Sequence, residues 1–200
     1  MRLLETIEEL EAIYDQANPK SIDKVVKQLS PLYQRWISAS KFLIISTVGP
    51  EGTDASPRGD DSPIVHIANP TTLWLPDWKG NNRLDSLRNI IRDGRTSLMF
   101  IVPGCDNVVR SNGTAVLSND EQLCKHFEKN GKLPKTVIIF KIDEAYFQCA
   151  KALMRSKLWT TDNSDLQLPT AGDFLKEFNS AFDGASYDRD YPEYAKPKMW

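Results

Sequence analysis

The chain is short of the residues that build most metal centres and nucleophilic active sites. It has two histidines, His66 and His126, and three cysteines, Cys105, Cys124 and Cys149. The cysteines are far apart and form no C-x-x-C pair. A disulfide framework or a zinc site is therefore excluded, and free thiols in a reducing, cytoplasmic setting are expected. Two histidines leave little material for a catalytic triad, and both read as structural, His126 on a helix surface and His66 in a strand. No G-x-G-x-x-G, G-x-x-x-x-G-K-[ST], H-E-x-x-H or G-x-S-x-G occurs, so Rossmann, P-loop, zincin and hydrolase-elbow chemistry lack support. The longest apolar runs, Phe42–Ile45 and Leu98–Val102, are strand-length, whereas a membrane helix needs about 20 such residues. The acidic N-terminal stretch argues against a secretory or transit peptide. The Asn112-Gly113-Thr114 sequon consequently carries no meaning. There is no internal repeat and no low-complexity segment.

What is present is an ordinary globular composition. The chain has 200 residues, 40% hydrophobic and 26% charged, with a net charge of -2. That balance gives no general drive toward nucleic acid or acidic membranes. The expectation is one domain over residues 1-200, with a helical extension over 1-40, a barrel core over 41-150 and C-terminal helices and tail over 151-200. Leu3, Ile7, Leu10 and Tyr14 predict an amphipathic helix over 3–14. Ser21 is placed to cap a second helix through Leu29, and Pro31 to open a third. From Phe42 the pattern turns to β. Strands are predicted near 42–48, 64–68, 72–75, 96–102, 107–117 and 136–149. Asn82 is predicted to cap a helix over 82–93 with Leu84, Leu87 and Ile91 on one face, closed by Gly94. Ser118–Glu121 reads as a capping box opening a short helix. Further helices are predicted over 151–158 and 170–178, followed by an extended tail holding Tyr187, Tyr191 and Tyr194. Short strands with one helix inserted midway predict a mainly β, α+β fold, a six-stranded antiparallel split barrel.

Three segments carry candidate anion-binding chemistry. In Trp74–Leu87 a strand ends and a helix begins. Arg83 then sits at a helix start, an awkward place for a cation unless an anion joins it there. Arg58, next to Gly59, supplies a second charge; together they would neutralise most of a phosphate dianion. Lys151 and Arg155 lie one helical turn apart and would repel unless an anion lay between them, with Trp159 as an aromatic wall. Each segment has a plain alternative. Arg83 reads equally as a solvated arginine, Arg58 as an edge partner of Asp60 or Asp61, and the Lys151–Arg155 turn as a basic surface helix.

Together Ser56–Asp60, Leu75–Trp78, Gly80–Leu84, Pro103-Gly104, Arg110–Gly113 and Lys151–Trp159 resemble the pyridoxamine 5'-phosphate oxidase-like FMN-binding split-barrel family. The match is nearest to a subgroup of FMN-dependent enzymes of unknown substrate, and it spans about residues 35–165. The resemblance implies a homodimer with FMN in clefts between subunits. It implies that Arg58, Arg83 and Asn82 hold the FMN phosphate and that Gly59 and Asp60 run beside the flavin. It implies also that Pro76–Trp78, Trp78 above all, border the cofactor, with Lys151 and Arg155 approaching from a neighbouring segment. Two departures argue against vitamin B6 oxidation. Leu84 stands where true pyridoxamine phosphate oxidases have lysine, and the chain ends Tyr194–Trp200 in place of their arginine-containing motif. Ser111 replaces a small apolar residue of the subgroup.

The leading expectation is an FMN-dependent oxidoreductase exchanging hydride at flavin N5 with a small-molecule substrate or a donor such as NAD(P)H. The competing readings are a non-catalytic flavin-binding or redox-sensing protein, a split-barrel protein using F420 or haem, and an interaction domain. Haem is disfavoured by two histidines, although one axial ligand suffices.

Overall fold

The computed structural model describes residues 1–200. Seven strands form one antiparallel sheet: β1 Phe42–Gly49, β2 Gly52–Gly59, β3 His66–Asn69, β4 Thr72–Asp77, β5 Arg95–Ile101, β6 Val108–Ser118 and β7 Thr136–Gln148. Their order is β2-β1-β5-β6-β7-β4-β3, which leaves β2 and β3 as unpaired edges and makes the barrel split. The sheet has one strand more than the six expected. The additional one is β2, where residues 53–60 carried no predicted strand.

Period-2 alternation puts one row of side chains inside. Directly opposed pairs across the ladders, Leu43 with Phe100, Ile45 with Leu98, Leu73 with Phe140 and Leu75 with Ile138, are all buried. Such cross-strand pairs are the unit of sheet stabilisation. The β6–β7 ladder shifts register between Asn112 and Gly113. Across the shift the buried positions of β7 pass from Ile138, Phe140 and Ile142 to Ala145, so the parity of the inward face flips. Gly113 is required at this bulge, because a Cβ there would lie 2.0 Å from the Lys141 carbonyl oxygen.

Eight helices surround the sheet. At the N-terminus they are α1 Ile7–Glu11, α2 Pro19–Asp23 and α3 Pro31–Ala39. The expected helix over 3–14 is reduced to α1, because Leu3, Ile7, Leu10 and Tyr14 all remain exposed with nothing to pack against, and short unsupported helices are marginal. The second helix is capped by Asn18, not Ser21, and stops at Asp23. Val26 instead joins the sheet, its N–H and C=O both bonding Ala145 at 2.9 and 2.7 Å. Tyr33 of α3 fixes this stretch, its hydroxyl donating to the Lys24 carbonyl and accepting from the Phe147 N–H.

Midway along the chain lies α4 Asp85–Arg92, packed on β1, β2 and β6. It starts three residues later than expected, with Leu84 rather than Asn82 at its N-cap. Its buried face is Leu87 and Ile90, with Ser86 and Asn89. Ile91 points outward, so the predicted helical phase was off by one position. A short α5 Glu121–Lys125 is capped by the Asp120 carboxylate, while Ser118 accepts the Asp120 N–H instead of forming the expected box.

The C-terminal part holds α6 Lys151–Ser156, α7 Ala171–Phe178 and α8 Gly184–Ala195. α8 replaces the extended tail. Tyr187, Tyr191 and Tyr194 succeed one another along it with ring centroids 5.4 and 6.4 Å apart. The α7–α8 pair approaches closely through Gly172 and Gly184. A 3-10 turn, Lys196–Lys198, ends the chain's regular structure. No helix is long and apolar enough to cross a membrane.

Candidate functional site

Where the split of the barrel opens, a cleft of ≈ 700 Å³ lies between the end of β2, the loop after β4, the start of α4 and the start of β7. This is the size range of small-molecule sites, about 300–1,000 Å³. Four cations line it, Arg58, Lys79, Arg83 and Lys135, against three carboxylates, Asp54, Asp77 and Asp85. A positive excess in a chain of net charge -2 marks the cleft as a place for an anion.

The loop Lys79–Leu84 is shaped by two left-handed residues, Asn82 at φ 61 and Leu84 at φ 62. Asparagine tolerates this region; leucine does so at a cost of about 1–2 kcal/mol. Leu84 has no side chain able to cap, so the first N–H groups of α4 are left uncapped. Asp85, Ser86 and Leu87, the first residues of that helix, all line the cleft. The positive end of the helix therefore opens onto the same space as the four cations. Arg83 reaches this end from the loop rather than from the first helical turn; its Nε donates to Asp85 at 2.9 Å, and its side chain is 76% exposed.

Arg58 is held more tightly. Its side chain is 23% exposed; it donates to Ser56 Oγ and to the Pro57 carbonyl and stands 3.9 Å from Asp77. Its partner is thus Asp77, not Asp60 or Asp61. Burial raises the Asp77 carboxyl above its ordinary range, with Arg58 and Lys135 pulling the other way. The neighbouring Thr136 hydroxyl is buried at the cleft with no hydrogen-bond partner. An unpartnered buried hydroxyl is rare and costly, and a ligand oxygen would satisfy it.

Of the residues singled out from sequence, Arg58, Gly59, Trp78, Asn82 and Arg83 meet in this cleft. Asp60 sits just behind it. Its carboxylate accepts from the Trp78 indole at 3.2 Å, from Ser62 and from Lys129 at 2.5 Å. Burial pushes this carboxyl up, but the Lys129 ammonium and the Ser62 donors outweigh it and hold it at about 2. Lys151 and Arg155 are exposed on α6 and do not line the cleft; Trp159 beyond them donates to the Cys105 carbonyl at 3.0 Å. The sequence reading missed Lys79, Lys135, Thr136 and Met199. The first two carry a weak signal, Lys135 directly before β7 and Lys79 two residues after β4. His66 and His126 do form a pair, with ring centroids 4.2 Å apart beside Trp74, away from the cleft.

The donor set suits a phosphorylated cofactor with an apolar body. Cations, an open helix end and an orphaned hydroxyl serve the phosphate and polar edge. Trp78, Ile64, Leu87 and Met199 provide apolar surface.

The family model for pyridoxamine 5'-phosphate oxidase matches residues 29–149. No curated protein matches. Among solved structures, the chain is similar to HupZ of Group A Streptococcus, with 17% identity over 56% of this chain and 90% of that one, at a TM-score of 0.46. It is similar to an FMN-binding protein from Syntrophomonas wolfei, with 15% identity over 62% and 84% of the two chains and a TM-score of 0.43. It is also similar to the general stress protein 26 of Bacillus anthracis, with 14% identity over 57% and 88% and a TM-score of 0.43. With its family model covering most of the sheet, this chain belongs to the pyridoxamine 5'-phosphate oxidase family.

Proposed function

We propose that the cleft holds FMN and that the protein is an FMN-dependent oxidoreductase working as a homodimer on a small-molecule substrate. The observation that carries this reading is the uncapped N-terminus of α4 opening among Arg58, Lys79, Arg83 and Lys135. Backbone N–H groups, a helix dipole and guanidinium forks converging on one point form a phosphate site. Arg58 and Arg83, now engaged by Asp77 and Asp85, exchange those carboxylates for the phosphate, with Asn82 at its side. Gly59 lets the ligand approach the β2 backbone, since a Cβ there would meet nothing closer than 3.7 Å. Trp78, fixed through its indole by Asp60, borders the ring system.

Bound flavin would supply the hydride chemistry; the chain's own residues bind it, orient it and exclude water. The free thiols and the two histidines stand outside the cleft and take no part in this reading. Support for a dimer comes from β2, whose outer edge is unpaired along eight residues and borders the cleft. Lys151 and Arg155, outside the cleft of their own chain, are assigned to the cofactor bound near a second chain. The family members' vitamin B6 chemistry is not proposed, because Leu84 departs from that pattern.

The test is turnover. FMN-loaded protein mixed with NADH or NADPH under anaerobic conditions should bleach, then recover colour with an electron acceptor. Flavin that stays oxidised with both donors would leave a flavin carrier in place of an oxidoreductase.

A further inference from the structure

The segment after α8 returns to the cleft. After α8, the turn Lys196–Lys198 delivers Met199 into the cleft wall. Two lysines from the segment after α5 hold it there. Lys132 donates to the Pro197 carbonyl at 2.9 Å, and the Lys129 ammonium stands 4.2 Å from the centroid of the Trp200 ring. Lys129 is itself fixed by Asp60 and Asp61, and Asp60 receives the indole N–H of Trp78, a second wall residue. One continuous network thus leaves the cleft at Trp78, passes through Asp60 and Lys129 to Trp200, and re-enters the cleft at Met199.

The attachments are strong on one side and light on the other. Lys129 is doubly ion-paired with only 21% of its side chain exposed. Met199 remains 55% exposed. The strap itself is held by one hydrogen bond and two cation–π contacts, Trp200 on Lys129 and Lys198 on the Tyr194 ring of α8. A contact of the latter kind is worth a factor of about 2 to 30 in an equilibrium.

We propose that Lys196–Trp200 is a latched strap on the cleft. Trp200 on the Lys129 ammonium is the latch, Lys129 is its positioning residue, and Met199 is the part that narrows the passage, so that FMN enters and leaves only when the strap lifts. The identity of the ligand rests on the cofactor reading above; the strap rests on its own contacts.

The test pairs two readouts on the full chain. Trypsin cleavage after Lys198, followed by mass spectrometry, reports how often the strap is open without any ligand. Release of FMN, followed by recovery of flavin fluorescence on dilution, reports gating. Trp200→Ala should accelerate both by a common factor of about 2 to 30, and Trp200→Phe, which keeps a ring on the ammonium, should restore both. Cleavage of Trp200→Ala at the wild-type rate would overturn the latch. Faster cleavage with unchanged FMN release would overturn the gating role. Wild-type protein that takes up no FMN would overturn the cofactor reading and the gate with it, while the cleavage rates would still decide the latch.

Discussion

Replacing Arg58 and Arg83 one at a time separates the phosphate site from the rest of the cleft. A hydrogen bond to a charged group contributes about 1.5–3 kcal/mol net. Arg58 is 23% exposed and already aligned by Ser56 and Pro57, so little ordering is lost when it meets a phosphate. Arg58→Ala should therefore sit at the upper end, about 2–3 kcal/mol, or about 30- to 150-fold in FMN affinity. It also leaves Asp77 facing the phosphate without its partner, which acts in the same direction. Arg83 is 76% exposed and screened by solvent, so Arg83→Ala should weaken FMN by about 10-fold and flatten the salt dependence of binding. Titration by quenching of flavin fluorescence at two salt concentrations reads both effects. Riboflavin, which has the same ring system and no phosphate, is the control, and its affinity should be unchanged in either variant. Equal losses for FMN and riboflavin would refute the assignment of these arginines to the phosphate.

The fold makes further predictions. Gly113→Ala forces a Cβ onto the Lys141 carbonyl at the β6–β7 bulge and should cost about 1–3 kcal/mol in urea unfolding; wild-type stability in that variant would show that the bulge is relaxed. Leu84→Gly removes a left-handed leucine that is 44% exposed and should stabilise the protein by about 1 kcal/mol, read by the same assay; a loss of stability would mean the leucine side chain matters more than its backbone strain. Asp60 has a folded pKa of about 2, below its ordinary 3.8, so its contribution to stability is complete above about pH 4 and is lost as pH falls toward 2. Lys129→Met removes the ammonium that opposes burial, so the acid-unfolding midpoint followed by circular dichroism should move to higher pH; an unmoved midpoint would remove Asp60 from the acid transition.

The β-core was legible because its alternation is strong and its turns carry glycine and proline. Every strand except β2 was expected within a few residues of where it lies, including the long β6 and β7. The errors fall where tertiary contacts decide. Val25–Leu29 has helical spacing, but pairing of Val26 with Ala145 prevails over that local preference. The tyrosine tail was expected to be extended, yet 187, 191 and 194 are spaced for a helix and Pro192 is accommodated inside α8. At the site, Arg58, Asn82 and Arg83 could be found because arginine and asparagine beside glycine turns are conspicuous. The helix start was misplaced because Leu84 takes a backbone conformation that leucine rarely adopts, and only the loop's geometry imposes it. Lys135, Thr136 and Met199 reach the cleft from segments distant in sequence, so no spacing rule joins them to Arg58.

The measurement that bears most directly on the central claim is the visible absorption spectrum of the protein purified without added cofactor, with the released chromophore identified by chromatography and any colourless protein titrated with FMN. The account predicts an oxidised flavin spectrum that releases FMN, or uptake of added FMN in preference to riboflavin. Colourless protein that ignores FMN, or a Soret or deazaflavin spectrum, would contradict it.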